Sequence, residues 1–393
     1  MLENLTDLVK EEGFKRFKES LLAYSTDLGG LIAGLIIFLQ LEFFLDEPWI
    51  VMLYPIMITL RGNIGGIFSA RLSTSLNLGT IRPSFRRNTP LFIILFSAIN
   101  SASFLLSFFS GLMVFFAQMI IVGFKPWLLG AILLTALGVQ SISMSISIPI
   151  TCIMGFIGFK RNIDPDVILY PIMSTVTDIV ESFTYVVVIT MVKSLTGLIT
   201  LLSICMLYFL VISFLIKKYG REEEFIESIK QALVSLFISL SFGWFSGLAL
   251  SSVRSQLEMY PSIMIVYPAI IDTLGDFGAS IGSILTTRLS EGSISPRLSL
   301  NLLEFYEMIQ MWLSALIYFM VYACIAFANG FQGVHAIILC FILSSPVILF
   351  ICRLSAIGVF ERNLDPDNFV IPFETTLSDF LGTVLISFFL GII

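Results

Sequence analysis

Run after run of about twenty apolar residues follows the first polar turns of this chain, and that length matches the hydrocarbon core of a bilayer. Eleven such runs can be drawn, at roughly 22–45, 50–80, 90–123, 127–159, 168–192, 196–216, 229–250, 262–290, 305–328, 334–358 and 369–392. Only 13% of the residues are charged, against about 25% in an ordinary soluble domain. The expected fold is therefore an all-α polytopic membrane protein, since a helix satisfies its own backbone in lipid. Seventeen lysines and arginines fall in loops on one side of these runs and three, Lys125, Lys193 and Arg254, on the other. That bias predicts a cytoplasmic N-terminus and, with eleven spans, an external C-terminus. The opening MLENLTDLVKEEGFKRFKES reads as an amphipathic cytoplasmic helix over 1–20, without the apolar core of a cleavable signal. Five cysteines without CxxC pairing and a single histidine, His335, argue against thiol or imidazole metal sites.

The chain is written twice. YPIMITLRGNIGG at 54–66 recurs as YPAIIDTLGDFGA at 267–279, an offset of 213 residues. Gly30-x-x-x-Gly34 falls on Gly243-x-x-x-Gly247 at the same offset. NIDPDVILYPIMSTVTDI at 162–179 recurs as NLDPDNFVIPFETTLSDF at 363–380, now offset by 201. Each half reads as a five-span unit, at 21–193 and 229–393, joined by a linking span and cytoplasmic linker at 194–228. An odd linking span makes the two halves parallel, related by a pseudo-two-fold axis along the membrane normal. Parallel repeats of that kind are one way to put a substrate path on an axis.

A carboxylate deep in a span is unfavourable by at least about 2.5–3.5 kcal/mol and is a functional-site hypothesis by default. Asp178 and Asp379 each follow a proline, Pro171 or Pro372, by seven residues, among Ser174, Thr175, Thr375 and Thr376. Carbonyls released by proline, hydroxyls and a carboxylate on neighbouring turns are ligands for a hard cation. The two-fold would bring the aspartates face to face, where they repel unless a cation or proton lies between them. No repeated basic residue accompanies them. A second constellation sets Pro55, Gly62, Asn63 and Gly65 against Pro268, Gly275, Asp276 and Gly278, with Asn63 and Asp276 as matched oxygen donors. The proline and glycines predict a broken or closely packed helix. Asp27, Glu181, Asp272 and Glu374 have no acidic counterpart in the other half and are candidates for a coupling ion. Arg71 and Arg288 are read as snorkelling or pore-mouth charges, and Glu42, Glu304 and Glu307 as interfacial.

The phrases GNIGGIFSARLSTSLNLGTI and NLDPDNFVIPFETTLSDF resemble the two signatures of the MgtE superfamily of magnesium transporters and channels, in its two-repeat solute-carrier-like branch. The resemblance implies two MgtE-like five-helix units with a divalent-cation path, metal coordination at Asp178 and Asp379, and path lining by Asn63 and Asp276. The large N and CBS domains of bacterial MgtE find no room in this sequence. The expected function is Mg²⁺ transport by a monomer acting as a pseudo-dimer in a plasma membrane, with lipid and divalent cation as partners and no nucleic acid. The alternative is an exchanger coupled to Na⁺ or H⁺. A remote one is an intramembrane aspartyl protease, since TLGDFG at 273–278 resembles a GxGD phrase; its aspartate aligns with Asn63, which argues against an enzyme.

Overall fold

The computed structural model describes residues 2–161, 165–299, 301–362 and 366–392, with side chains described there except at 2–11, 70, 165–173, 231, 234–236, 366–369, 371 and 372. Most of the described residues are helical, and none of them forms a strand. In order they form α1 (Leu2–Tyr24), a 3-10 turn (Ser25–Gly29), α2 (Gly30–Leu39), α3 (Leu41–Phe44), α4 (Pro48–Asn77), α5 (Pro90–Val122), α6 (Pro126–Lys160) and α7 (Pro165–Val192). There follow α8 (Leu195–Tyr219), α9 (Glu223–Ser252), α10 (Arg254–Met259), α11 (Ile263–Ser290), α12 (Leu302–Ala328), α13 (Val334–Glu361) and α14 (Pro366–Ile392). Ten helices among the described residues are long and apolar enough to cross a membrane, and a shorter apolar stretch, Phe237–Ser252, lies inside α9. The chain is thus a polytopic all-α membrane protein.

Helix starts follow the sequence. Proline opens α4, α5 and α6, where its missing donor costs nothing. Asn301 and Glu304 close a capping box at the start of α12.

The chain packs as two compact units, one of Met1–Gly34 with Met259–Ile393 and the other of Leu35–Glu258. These units do not follow the repeat boundaries at 193 and 229, because each half's leading helix packs with the other half's bundle. In the first unit α1 lies on α12, and the 3-10 turn on α11. In the second, α9 lies on α4 and α5. Glycine explains the choice. A Cβ on Gly34 would sit 2.1 Å from the Ile265 carbonyl oxygen of α11, and one on Gly30 would sit 2.7 Å from the Ala269 backbone. In the other unit a Cβ on Gly247 would sit 2.1 Å from the Met52 carbonyl oxygen of α4, and one on Gly243 would sit 3.2 Å from Ile56. Met52 and Ile265 are themselves equivalent at the 213 offset, so the same small-xxx-small crossing is built in both units.

The receiving helices are the cores. In α4 and α11 83% of the central span is buried, against 17% in α8, whose outward face carries Leu195, Ile199, Leu202 and Met206. Both cores run unbroken through Pro55 and Pro268. The helix breaks expected at Pro55, Gly62, Gly65, Pro268, Gly275 and Gly278, and at Pro171 and Pro372 in α7 and α14, are therefore replaced by continuous helices; packed neighbours cover the freed carbonyls of Pro55 and Pro268. Close packing does hold on α11, where a Cβ on Gly278 would meet Ser378 Oγ at 2.9 Å. Around Gly62 and Gly65 a Cβ meets nothing within 4 Å.

Gly34→Ala and Gly247→Ala are expected to lower the thermal unfolding temperature in detergent, by an overpacking cost of about 1–3 kcal/mol each. Gly65→Ala should hold or raise it, since alanine in an unobstructed helix gains up to about 1 kcal/mol over glycine.

Candidate cation site

Two hydrogen bonds fix how the aspartate helices sit on the cores. Tyr54 of α4 is bonded to Ser182 of α7 at 2.9 Å, and Tyr267 of α11 to Thr383 of α14 at 2.9 Å. Tyr54 and Tyr267 are equivalent at offset 213, Ser182 and Thr383 at offset 201. The two offsets therefore meet in one bond, made twice, and all four residues are buried. A residue two turns after the tyrosine then lies opposite the aspartate one turn before the hydroxyl.

In the Leu35–Glu258 unit that position is Arg61. Its Nη2 donates to Asp178 Oδ1, and the side chains are 1% and 2% exposed. Glu181, one turn further along α7, is fully buried, accepts a hydrogen bond from Ser143 and lies within electrostatic reach of Arg61. Asn63 spends its amide nitrogen on the Thr59 carbonyl at 3.0 Å and on Ser239 Oγ of α9 at 2.9 Å, which ties the core to its borrowed helix. Ser174 and Thr175 are half-buried on α7.

In the Met1–Gly34 and Met259–Ile393 unit the residue equivalent to Arg61 is Leu274. Asp379 is half-buried, with Oδ1 3.7 Å from where a Cβ on Gly275 would stand. Thr375, one turn earlier, lies against the same glycine, and Thr376 is buried. Asp272 and Asp276 are half-buried along one face of α11. Asp27, 3% exposed in the 3-10 turn, belongs to this unit because its helix does. Asp272 Oδ2 lies 3.0 Å from where a Cβ on Gly30 would stand, and the Tyr322 hydroxyl feels both Asp27 and Asp272. Glu374 is fully buried against Gly278 and Gly282; its carboxylate accepts from Cys352 Sγ at 2.9 Å and from the Ser355 hydroxyl. Asp164 and Asp365, and the side chains of Pro171 and Pro372, lie outside the described residues.

Of the charges read as interfacial or snorkelling, Glu304 and Glu307 are buried and paired, Arg71 and Arg288 are half-buried, and Glu42 is exposed. Arg288 bonds Glu307 at 2.6 Å, with Arg16 of α1 3.7 Å from the same carboxylate. Arg353 bonds Glu304 at 3.3 Å, and Arg71 donates to Ser228 of α9. Among the described residues no three of His, Cys, Asp and Glu converge as a metal cage. What the site offers a cation is carboxylate and hydroxyl oxygen on two packed helices, not a dehydrating thiolate or imidazole shell.

A family model described as MgtE, divalent cation transporter, matches residues 54–188 and 267–389, well over half of the chain. The chain belongs to the MgtE family. Each matched stretch begins at a locking tyrosine and runs past the hydroxyl that holds it. The exchanged leading helices and α8 lie outside both stretches. No curated protein and no solved structure matches the chain significantly.

Sequence reasoning passed over Arg61 and the tyrosine locks. The locks had a signal, the repeated YP phrase. Arg61 had one too: with Arg71 it is one of two basic residues inside the first-half runs and away from their ends. Tyr54→Phe and Tyr267→Phe should each cost about 1 kcal/mol in thermal unfolding, the usual net worth of one hydrogen bond, and the two losses should match.

Proposed function

We propose that this MgtE-family chain carries Mg²⁺ across a plasma membrane, N-terminus inside and C-terminus outside, with Asp379 as the principal carboxylate and Asp276, Asp272 and Thr375 beside it. The observation that carries this reading is Asp379 Oδ1 lying 3.7 Å from where a Cβ on Gly275 would stand, on a core helix that also carries Asp272 and Asp276. Mg²⁺ dehydrates reluctantly, keeps several waters and is typically held through one or two carboxylates. A site with few oxygen ligands and room at glycine suits a partly hydrated ion of that kind. Entry needs no coupling: at 100 mV, inside negative, a divalent ion gains about 4.6 kcal/mol. An enzymatic role is disfavoured, because Asp276 is one of several polar residues on a transport-family core helix and aligns with Asn63.

The test is Mg²⁺ flux into proteoliposomes under an imposed voltage. Asp379→Asn is expected to reduce it at least tenfold, and undiminished flux would sink the reading.

One feature favours exchange as a second reading. Glu374 is buried in a span with a thiol and a hydroxyl as its hydrogen-bond donors, an arrangement found in proton relays. If protons are the counter-ion, Mg²⁺ flux will follow an imposed pH gradient, and Glu374→Gln will abolish that dependence while leaving the protein folded. Flux indifferent to both H⁺ and Na⁺ gradients would mean a channel.

A further inference from the structure

The repeat invites a position-by-position comparison of charge. At the 213 offset Asp27 stands against Leu240, Asp272 against Thr59, Asp276 against Asn63, and Leu274 against Arg61. All four exchanges run the same way. The core phrase of α4 carries one positive charge, and that of α11 two negative ones. Asp178 and Asp379 are the point where the halves agree, and the tyrosine locks put each opposite the residue that differs most.

We propose that Arg61 is a tethered cation that takes the transported ion's place at Asp178, so that the first half is closed to a divalent ion. The proposal rests on the reading of Asp379 as an ion-contacting carboxylate, since Asp178 is its structural equivalent. Three observations support it. The pair is almost wholly buried, so neither charge is there for solubility. A guanidinium does not deprotonate in proteins, so the positive charge is permanent. Among the described residues, of the three guanidinium nitrogens only Nη2 has a hydrogen-bond partner; Nε and Nη1 have none. Arginine used for structure spreads its fork over several acceptors. Here one nitrogen meets one Asp178 oxygen, and the charge also reaches Glu181 one turn along, as that of a bound metal would. A divalent ion arriving at Asp178 would face that charge at short range with little water to screen it. An MgtE-family protein with two equivalent aspartates thus keeps one carboxylate for the ion and has the other permanently answered.

The test asks whether Mg²⁺ can replace the guanidinium. Thermal unfolding is followed against Mg²⁺ concentration in the purified full chain, in the parent, in Arg61→Leu (the residue of the other half), in Arg61→Leu with Asp178→Leu, and in Asp379→Asn. Arg61→Leu should unfold about 5 °C or more below the parent without Mg²⁺, and Mg²⁺ should restore most of that loss on top of the parent's own response. The double variant should lose this added response and keep the parent's. If Mg²⁺ gives Arg61→Leu no more than it gives the parent, the proposal falls. It also falls if Arg61→Leu cannot be folded even in Mg²⁺ while the double variant folds, for then no ion substitutes for the guanidinium. A double variant that loses the parent's own response overturns it as well, since Asp178 would then be an ion contact in the intact protein. Asp379→Asn separates the two ideas: a parent-like Mg²⁺ response there would reject the Asp379 reading and leave the Arg61 result to stand by itself.

Discussion

A tyrosine hydroxyl bonded to a serine or threonine three helices later in the chain sets the axial register of each aspartate helix on its core. Everything chemical in the two units hangs on that register. One turn from the bond stands the aspartate, and two turns along the core stands the residue that answers it. In hydrocarbon surroundings a charge near mid-span persists only with an opposite charge, a bound ion or a full set of donors. The register decides which of these each carboxylate receives. Arg61 answers Asp178; thiol and hydroxyl donors answer Glu374; Asp379 is placed beside glycine, with hydroxyls on its own helix.

Much of this was legible in the sequence because repetition filters noise. The polytopic helical fold, the two halves and the family follow from apolar runs and from motifs that occur twice in order. Glycines 30, 34, 243 and 247 announced close helix crossings. They could not say with which helix, because small-xxx-small spacing describes one surface and not its partner. The exchange of leading helices was therefore hidden, and with it the fact that Asp27 joins the acidic unit. Arg61 was hidden for the opposite reason. A search for repeated residues discards whatever occurs once, and Arg61 matters because its counterpart is Leu274. The arginine partners of Glu304 and Glu307 were hidden because distance from a span end says nothing about what a neighbouring helix brings.

The two units thus share a skeleton and differ in electrostatics. Gene fusion, by freeing the halves from identity, allows such divergence: in a homodimer an arginine facing one aspartate must face both. Two unlike halves can set one aspartate against an arginine and the other beside small residues. The loss of strict symmetry leaves the unit of Met1–Gly34 and Met259–Ile393 the more acidic of the two.

The exchanged helices also govern how the protein can be made. Residues Met1–Gly34 pack into one unit with Met259–Ile393, so a helix made before the Leu35–Glu258 stretch belongs to the unit that is completed after it. At the usual 5–20 residues per second, the intervening stretch takes on the order of ten seconds or more to synthesise. During that time the glycine face of α2 has no partner to close on. The insertion machinery, or the lipid itself, must shelter an unfinished crossing, and the second half must arrive in the same membrane and on the same chain before either unit is whole.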